Sequence, residues 1–133
     1  MQNDDPILIV DDSAAMRQTL KSTLIGMGHP NVHAASNGVE ALEQCRERDF
    51  KLIFLDWNMP EMDGLEFLKT YRREPENKDS VVIMLTASGD KRSILTAIEN
   101  GANYYITKPV SPDVIKKKMD QIKARLADQG EMS

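Results

Sequence analysis

A single cysteine, Cys45, stands in this chain of 133 residues, so no internal disulfide can form. It lies three residues after Leu42, on what should be the apolar side of a helix, and reads as a buried structural thiol. Excess positive charge is missing too: 17 basic residues face 21 acidic ones, for a net charge of -4. That balance argues against a nucleic-acid duplex or a membrane surface as partner. No stretch approaches the roughly 18 apolar residues of a spanning helix, and the opening Met1-Gln2-Asn3-Asp4-Asp5-Pro6 has no basic start and no apolar run of a leader. A cytoplasmic protein is the expectation. No low-complexity segment or interdomain linker interrupts the chain, whose length suits about one domain.

What is present is an alternation of short apolar runs with longer segments of helical period, the pattern of repeated βα units. Strands are predicted at Ile7–Val10, Asn31–Ala35, Leu52–Asp56, Val81–Thr86 and Asn103–Thr107. Two are nearly all apolar, as expected of strands covered on both faces. After Asp12-Ser13, a helix N-cap, Met16, Leu20, Leu24 and Met27 form one stripe that ends at Gly26 and Gly28. Further helices are predicted from Gly38 to Arg48 with Val39, Leu42 and Cys45 inward, and from Leu65 to Arg73 with Leu65, Leu68 and Tyr71 or Arg72 inward. Pro75 then forces a loop. A fourth helix, Lys91 to Asn100, carries Ile94, Leu95 and Ile98 and stops at Gly101; a fifth begins at Pro112 and repeats Ile115, Met119, Ile122 and Leu126. Residues after Ala127 read as a frayed tail. The expected fold is α/β: a doubly wound parallel sheet of five strands with helices on both faces.

Four of the apolar runs end in polar chemistry: Asp11-Asp12, Asp56, Thr86 and Lys108. In an open parallel sheet, ligands bind beyond the carboxyl ends of the strands, so these groups should converge. Two unit charges about 4 Å apart repel by on the order of 4 kcal/mol at an effective dielectric of 20, so clustered carboxylates call for a countercharge. Mg²⁺ would provide it and leave an open position for a phosphoryl oxygen. Taken alone, Asp11-Asp12 also fits an N-cap pair. Asp56 is the candidate nucleophile, because a carboxylate can attack phosphorus without a separate base. A third metal ligand is its alternative role. Thr86 and Lys108 favour the covalent reading, since a hydroxyl and an ammonium would stabilise charge on the transferred group's oxygens.

Jointly, Asp11-Asp12, the stretch Asp56-Trp57-Asn58-Met59-Pro60-Glu61-Met62-Asp63-Gly64, Thr86-Ala87 and Lys108-Pro109 resemble the receiver domain of two-component response regulators, of the single-domain chemotaxis kind. The resemblance spans essentially the whole chain, one receiver over 1–133 with a core at about 6–127, and implies a flavodoxin-like sheet of order 2-1-3-4-5 without an output domain. It implies that Asp56 takes a phosphoryl group from a phosphohistidine on a sensor histidine kinase. It also implies Mg²⁺ bound by Asp12, Asp56 and the main-chain carbonyl of Asn58, with Asp11 acting largely through water. Thr86 would move to the phosphoryl oxygen, Lys108 would pair with it, and Tyr105 would turn inward. The Lys108-Pro109 bond would be cis. The implied protein is a monomeric signalling switch whose only reactions are its own phosphorylation and dephosphorylation. Its implied partners, besides the kinase, are a flagellar motor switch protein or another pathway's effector, and a phosphatase. The output face would be helix 4, strand 5 and helix 5, with Lys91, Ile94, Leu95, Tyr105 and Lys118 as candidates. Ser13, Val110 and Ser88-Gly89-Asp90 depart from the best-known chemotaxis regulators, and bear on which partner reads the signal and how long the phosphate lasts.

Two other classes fit less well. Aspartyl-phosphate phosphohydrolases commonly carry a second acid two residues after the nucleophile, where this chain has Asn58, and cap insertions that it has no room for. A flavodoxin-type carrier needs a Gly-rich phosphate loop where Asp11-Asp12 would repel the flavin phosphate. His29 and His33, around the start of the second strand, read as surface histidines, and Lys116-Lys117-Lys118 with Lys123 and Arg125 as a solvated helix face.

Overall fold

Strands of Ile, Leu, Val and Phe with no polar alternation can be stable only when both faces are covered, and that is how the chain folds. In the computed structural model, which describes the backbone of residues 1–132 and the side chains of 1–128, the strands are β1 (Ile7–Val10), β2 (Val32–Ala35), β3 (Leu52–Asp56), β4 (Val81–Thr86) and β5 (Tyr104–Thr107). They form one parallel sheet in the order β2-β1-β3-β4-β5, the order implied by the resemblance. The helices are α1 (Ala14–Gly26), α2 (Gly38–Glu47), α3 (Gly64–Arg72), α4 (Lys91–Glu99) and α5 (Pro112–Met132), with a 3₁₀ turn at Pro75–Asn77 where Pro75 breaks the pattern.

The sheet divides the core into two layers. On one face, Ile7, Ile9, Phe54 and Ile83 meet Leu20 and Leu24 of α1 and Ile115, Met119 and Ile122 of α5; on the other, Leu8, Ile53, Leu55 and Val82 meet Ala41, Phe67, Leu68, Tyr71 and Ala97 of α2, α3 and α4. Each large aliphatic or aromatic side chain buried this way contributes about 1.5–3 kcal/mol. At the amino-terminal edge, Arg72 of α3 donates to the carbonyls of Asn77, Ser80 and Gly101, tying together the segments that open β4 and β5.

Several sequence expectations are corrected. His29 is fully buried rather than at the surface: its amide is tied back to the Leu24 carbonyl at the end of α1, and Asn3, Asp5 and Lys123 stand near its ring. Val39 points outward at 41 % exposure, since Gly38 and Ala41 occupy the inner face of α2. On α4 only Ala97 is buried, leaving Leu95 and Ile98 about half exposed. The backbone past Ala127 continues α5 as far as Met132 instead of fraying, in one unbroken 21-residue helix. Cys45 is half-buried, and burial pushes its thiol up to about 12, as befits an unreactive packing residue. Among the described residues no helix is long and apolar enough to cross a membrane.

Candidate functional site

Parallel register aligns the strand ends, and the polar residues that follow them therefore share one rim. Val10 pairs with Leu55, Asp56 with Leu85, and Thr86 with Thr107, so Asp11, Asp56, Thr86 and Lys108 emerge from adjacent positions. Asp11 is locked in place. Its amide donates to the Ala35 carbonyl, its Oδ1 accepts from the Ser13 amide at 2.9 Å, and its carbonyl accepts from Arg17 Nη1 at 2.8 Å. Ser13 in turn caps α1 by accepting from the Met16 amide. The first βα turn is thereby built to aim two acids at one spot.

Carboxylate oxygens of Asp11, Asp12 and Asp56 all lie within 4.8 Å of one another, with Asp11 and Asp56 buried and Asp12 exposed. The Lys108 ammonium stands 3.0 Å from Asp56 Oδ1 and 3.5 Å from Asp11 Oδ2. Burial pushes the Asp56 carboxyl up to about 6; the hydrogen bond from Lys108 opposes this, and the Asp11 and Asp12 charges reinforce it. For Lys108 burial works against the ammonium, yet Asp56 and Asp11 outweigh it and the net shift is upward. Asp11 Oδ2 is buried, with only the Lys108 ammonium at 3.5 Å to face it. One ammonium cannot balance three carboxylates, and buried carboxylate charge without full compensation is costly. An all-oxygen set with excess negative charge fits a small divalent cation.

Thr86 is buried at the end of β4, but its hydroxyl faces its own loop. It donates to the Ser88 carbonyl at 3.0 Å and accepts from the Ser88 amide at 3.1 Å. Asn58 follows in the β3–α3 loop and is exposed, and Tyr105 is 40 % exposed on β5. The structure therefore brings Asp11, Asp12, Asp56 and Lys108 into contact, places Thr86 beside them with its hydroxyl engaged elsewhere, and holds Tyr105 outward. The Lys108-Pro109 bond is cis, and Val110 behind it is buried against the α1/α5 layer.

Gly64 is a site residue to which sequence reasoning assigned no role. A Cβ there would stand 2.3 Å from the Asp56 carbonyl oxygen and 2.9 Å from Trp57 Cα, and its amide donates to the Trp57 carbonyl at 2.8 Å. Only glycine lets α3 begin this close to the strand that carries Asp56. A glycine placed directly after a helix-capping Asp63 was the available signal.

With this geometry in hand, comparison with known proteins is decisive. The model of the response regulator receiver domain matches residues 7–120. This chain belongs to that family. It is 44 % identical over 117 residues to the chemotaxis protein CheY homolog of Campylobacter jejuni, covering 87 % of this chain and 90 % of that protein. The solved chemotaxis response regulator CheY4 of Vibrio cholerae superposes with a TM-score of 0.85 at 32 % identity, covering 90 % of this receiver and 98 % of that chain. A structure of the CheX-CheY-BeF3-Mg complex from Borrelia burgdorferi matches with a TM-score of 0.82 at 26 % identity, over 89 % and 88 % of the two chains.

Proposed function

We propose that this receiver is a phospho-accepting switch that takes a phosphoryl group on Asp56 from a sensor-kinase phosphohistidine. The observation that carries this reading is the buried Asp56 carboxylate, held 3.0 Å from the Lys108 ammonium and beside two more acids. An Asp56 oxygen would form a bond to phosphorus as the phosphorus–nitrogen bond breaks, and the imidazole would leave with the electron pair. Near neutral pH a carboxyl of pKa about 6 is mostly ionised and ready to attack. Asp11, Asp12, Asp56 and the Asn58 carbonyl would hold Mg²⁺, whose charge would neutralise that developing on the phosphoryl oxygens. Lys108 would pair with the same oxygens once Asp56 is an acyl phosphate, and Thr86 would turn its hydroxyl from Ser88 to one of them.

The response would be read from the surface of the receiver. Leu95 and Ile98 are about half exposed on α4, which also carries Lys91 and Ile94; Tyr105 is 40 % exposed on β5, and the Lys118 ammonium of α5 stands 5.4 Å from the ring centre of neighbouring Tyr104. This suits an amphipathic peptide with acidic residues, and Tyr105 moving inward with Thr86 would remodel the face. That the relatives are chemotaxis proteins supports a flagellar motor switch protein as the effector, in a cytoplasmic, monomeric regulator that a partner phosphatase resets. Its chemistry would be confined to its own phosphorylation and dephosphorylation.

Trp57 adjoins Asp56 and offers the test. Its fluorescence should change with Mg²⁺ and again with beryllofluoride, the second change vanishing in Asp56→Asn. A beryllofluoride response retained in Asp56→Asn would refute the acceptor assignment.

A further inference from the structure

Thr86 can reach a group on Asp56 only by giving up what its hydroxyl now holds, and those bonds do not end at Ser88. The Ser88 hydroxyl donates to Asp90 Oδ2. Asp90 is the N-cap of α4: its Oδ1 accepts from the Ser93 amide at 2.8 Å, and its Oδ2 also accepts from the Ser93 hydroxyl at 3.1 Å. One carboxylate thus grips both the loop that restrains Thr86 and the first turn of the helix that presents Leu95 and Ile98. The Ser88 bond is also the foremost reason that the Asp90 carboxyl sits below its ordinary range, which keeps it ionised as an acceptor. Ala87, Ser88, Gly89 and Asp90 are all exposed, so burial does not hold this stretch.

We infer that Ser88 and Asp90 are positioning residues that form a brake: the Ser88–Asp90 hydrogen bond holds residue 88 where its backbone captures the Thr86 hydroxyl, and so biases the receiver toward its inactive arrangement. The inference rests on the acceptor reading of Asp56 and adds to it the element against which phosphorylation works. When Thr86 swings toward the acceptor site, the Ser88 amide and carbonyl lose their partner and the residue must move. Movement of Ser88 strains or breaks its link to Asp90, and the start of α4 is the next thing attached. A change at a buried hydroxyl would therefore arrive at an exposed apolar helix face through three consecutive hydrogen bonds, each present in the inactive arrangement.

A brake of this kind makes a prediction that runs opposite to simple damage: its removal tightens binding at the site. Ser88→Ala deletes the hydroxyl but keeps the backbone that holds Thr86 and the Asp90–Ser93 cap. Asp90→Asn keeps an Oδ1 to cap α4 and replaces the oxygen that Ser88 uses. Affinity for beryllofluoride in saturating Mg²⁺, read by Trp57 fluorescence, should rise about 2- to 10-fold in either variant, the span that loss of one ordinary hydrogen bond supplies. Mg²⁺ affinity should stay within about 2-fold, and Ser88→Thr, which restores a hydroxyl, should return beryllofluoride affinity to that of wild type. In a Thr86→Ala background Ser88→Ala should bring no further gain, because there is no hydroxyl left to release. Unchanged or weaker beryllofluoride binding in both single variants would overturn the brake, as would an equal gain with and without Thr86. A wild-type protein that binds no beryllofluoride would overturn the acceptor reading and the brake with it, whereas normal wild-type binding with no gain in the variants removes the brake alone.

Discussion

Lys108 reaches Asp56 across the carboxyl end of the sheet with its ammonium 3.0 Å from Oδ1, yet the carboxyl it touches is pushed up to about 6. Burial outweighs the ion pair. Two neighbouring acids add to the imbalance, and the site consequently holds more negative charge than its single cation offsets. Such a cluster is poised for a ligand at the expense of stability, a common compromise at functional sites.

Removing the ammonium should make that imbalance worse. In Lys108→Ala the Asp56 carboxyl should titrate above about 6, so less of it is ionised at neutral pH and phosphorylation by a small phosphodonor slows. The carboxylates would still bind Mg²⁺. The check is the pH dependence of the phosphorylation rate, whose midpoint should move upward relative to wild type; a midpoint that stays put or falls contradicts the role given to Lys108.

Asp56→Asn should stabilise the metal-free protein at neutral pH. A carboxyl whose folded pKa is raised binds its proton more tightly in the native state than in the unfolded one, so the ionised form weighs against folding above about pH 6 and the burden lifts as pH falls toward 3.8. The gain from the substitution should be on the order of 1–3 kcal/mol at pH 8 and should vanish near pH 4. Urea unfolding at the two pH values, without metal, measures it.

His29 works in the other sense. It is fully buried, and burial, helped by Lys123, lowers its pKa below 6.5 against the opposing pull of the Asn3 backbone and Asp5. The unfolded chain takes up a proton that the native state resists, so the neutral imidazole's contribution is present above pH 6.5 and is lost as pH falls below it. His29→Leu should therefore lose less stability than wild type between pH 7.5 and 5.5. Comparing the two proteins cancels the opposing effect of Asp56. Parallel losses in both would show that His29 does not titrate with folding.

Gly64→Ala should be costly despite the small change. The added methyl would sit 2.3 Å from a main-chain carbonyl that no rotamer change can move, and α3 or the end of β3 would have to shift. A loss of about 2 kcal/mol or more is expected, together with a weaker Mg²⁺ response of Trp57. The corresponding change at exposed Gly89 should cost far less.

The fold was legible because each strand is a run of residues that only a doubly covered sheet can accommodate, and because Ser13, Gly38, Pro75 and Pro112 mark helix boundaries by local chemistry. The site was legible because parallel register turns four separated strand ends into one place. What escaped the sequence depends on facing partners. Leu95 and Ile98 have the spacing of core residues, and only the third dimension leaves them without a neighbour. His29 follows a glycine in a turn and looks solvated until the chain folds over it. Gly64 follows a capping Asp63 and Ser88-Gly89-Asp90 stands out in the sequence, but what each does depends on the Asp56 carbonyl and the Thr86 hydroxyl that the fold sets against them.

The central claim is that Asp56 is the phosphoryl acceptor, and intact-mass spectrometry tests it most directly. The protein is incubated with Mg²⁺ and acetyl phosphate, then examined before and after mild base. Wild type should gain a single base-labile phosphoryl group that maps to the peptide containing Asp56 and Trp57, and Asp56→Asn should gain none. A wild-type protein that stays unmodified, or an Asp56→Asn protein labelled at the wild-type rate, would contradict the assignment.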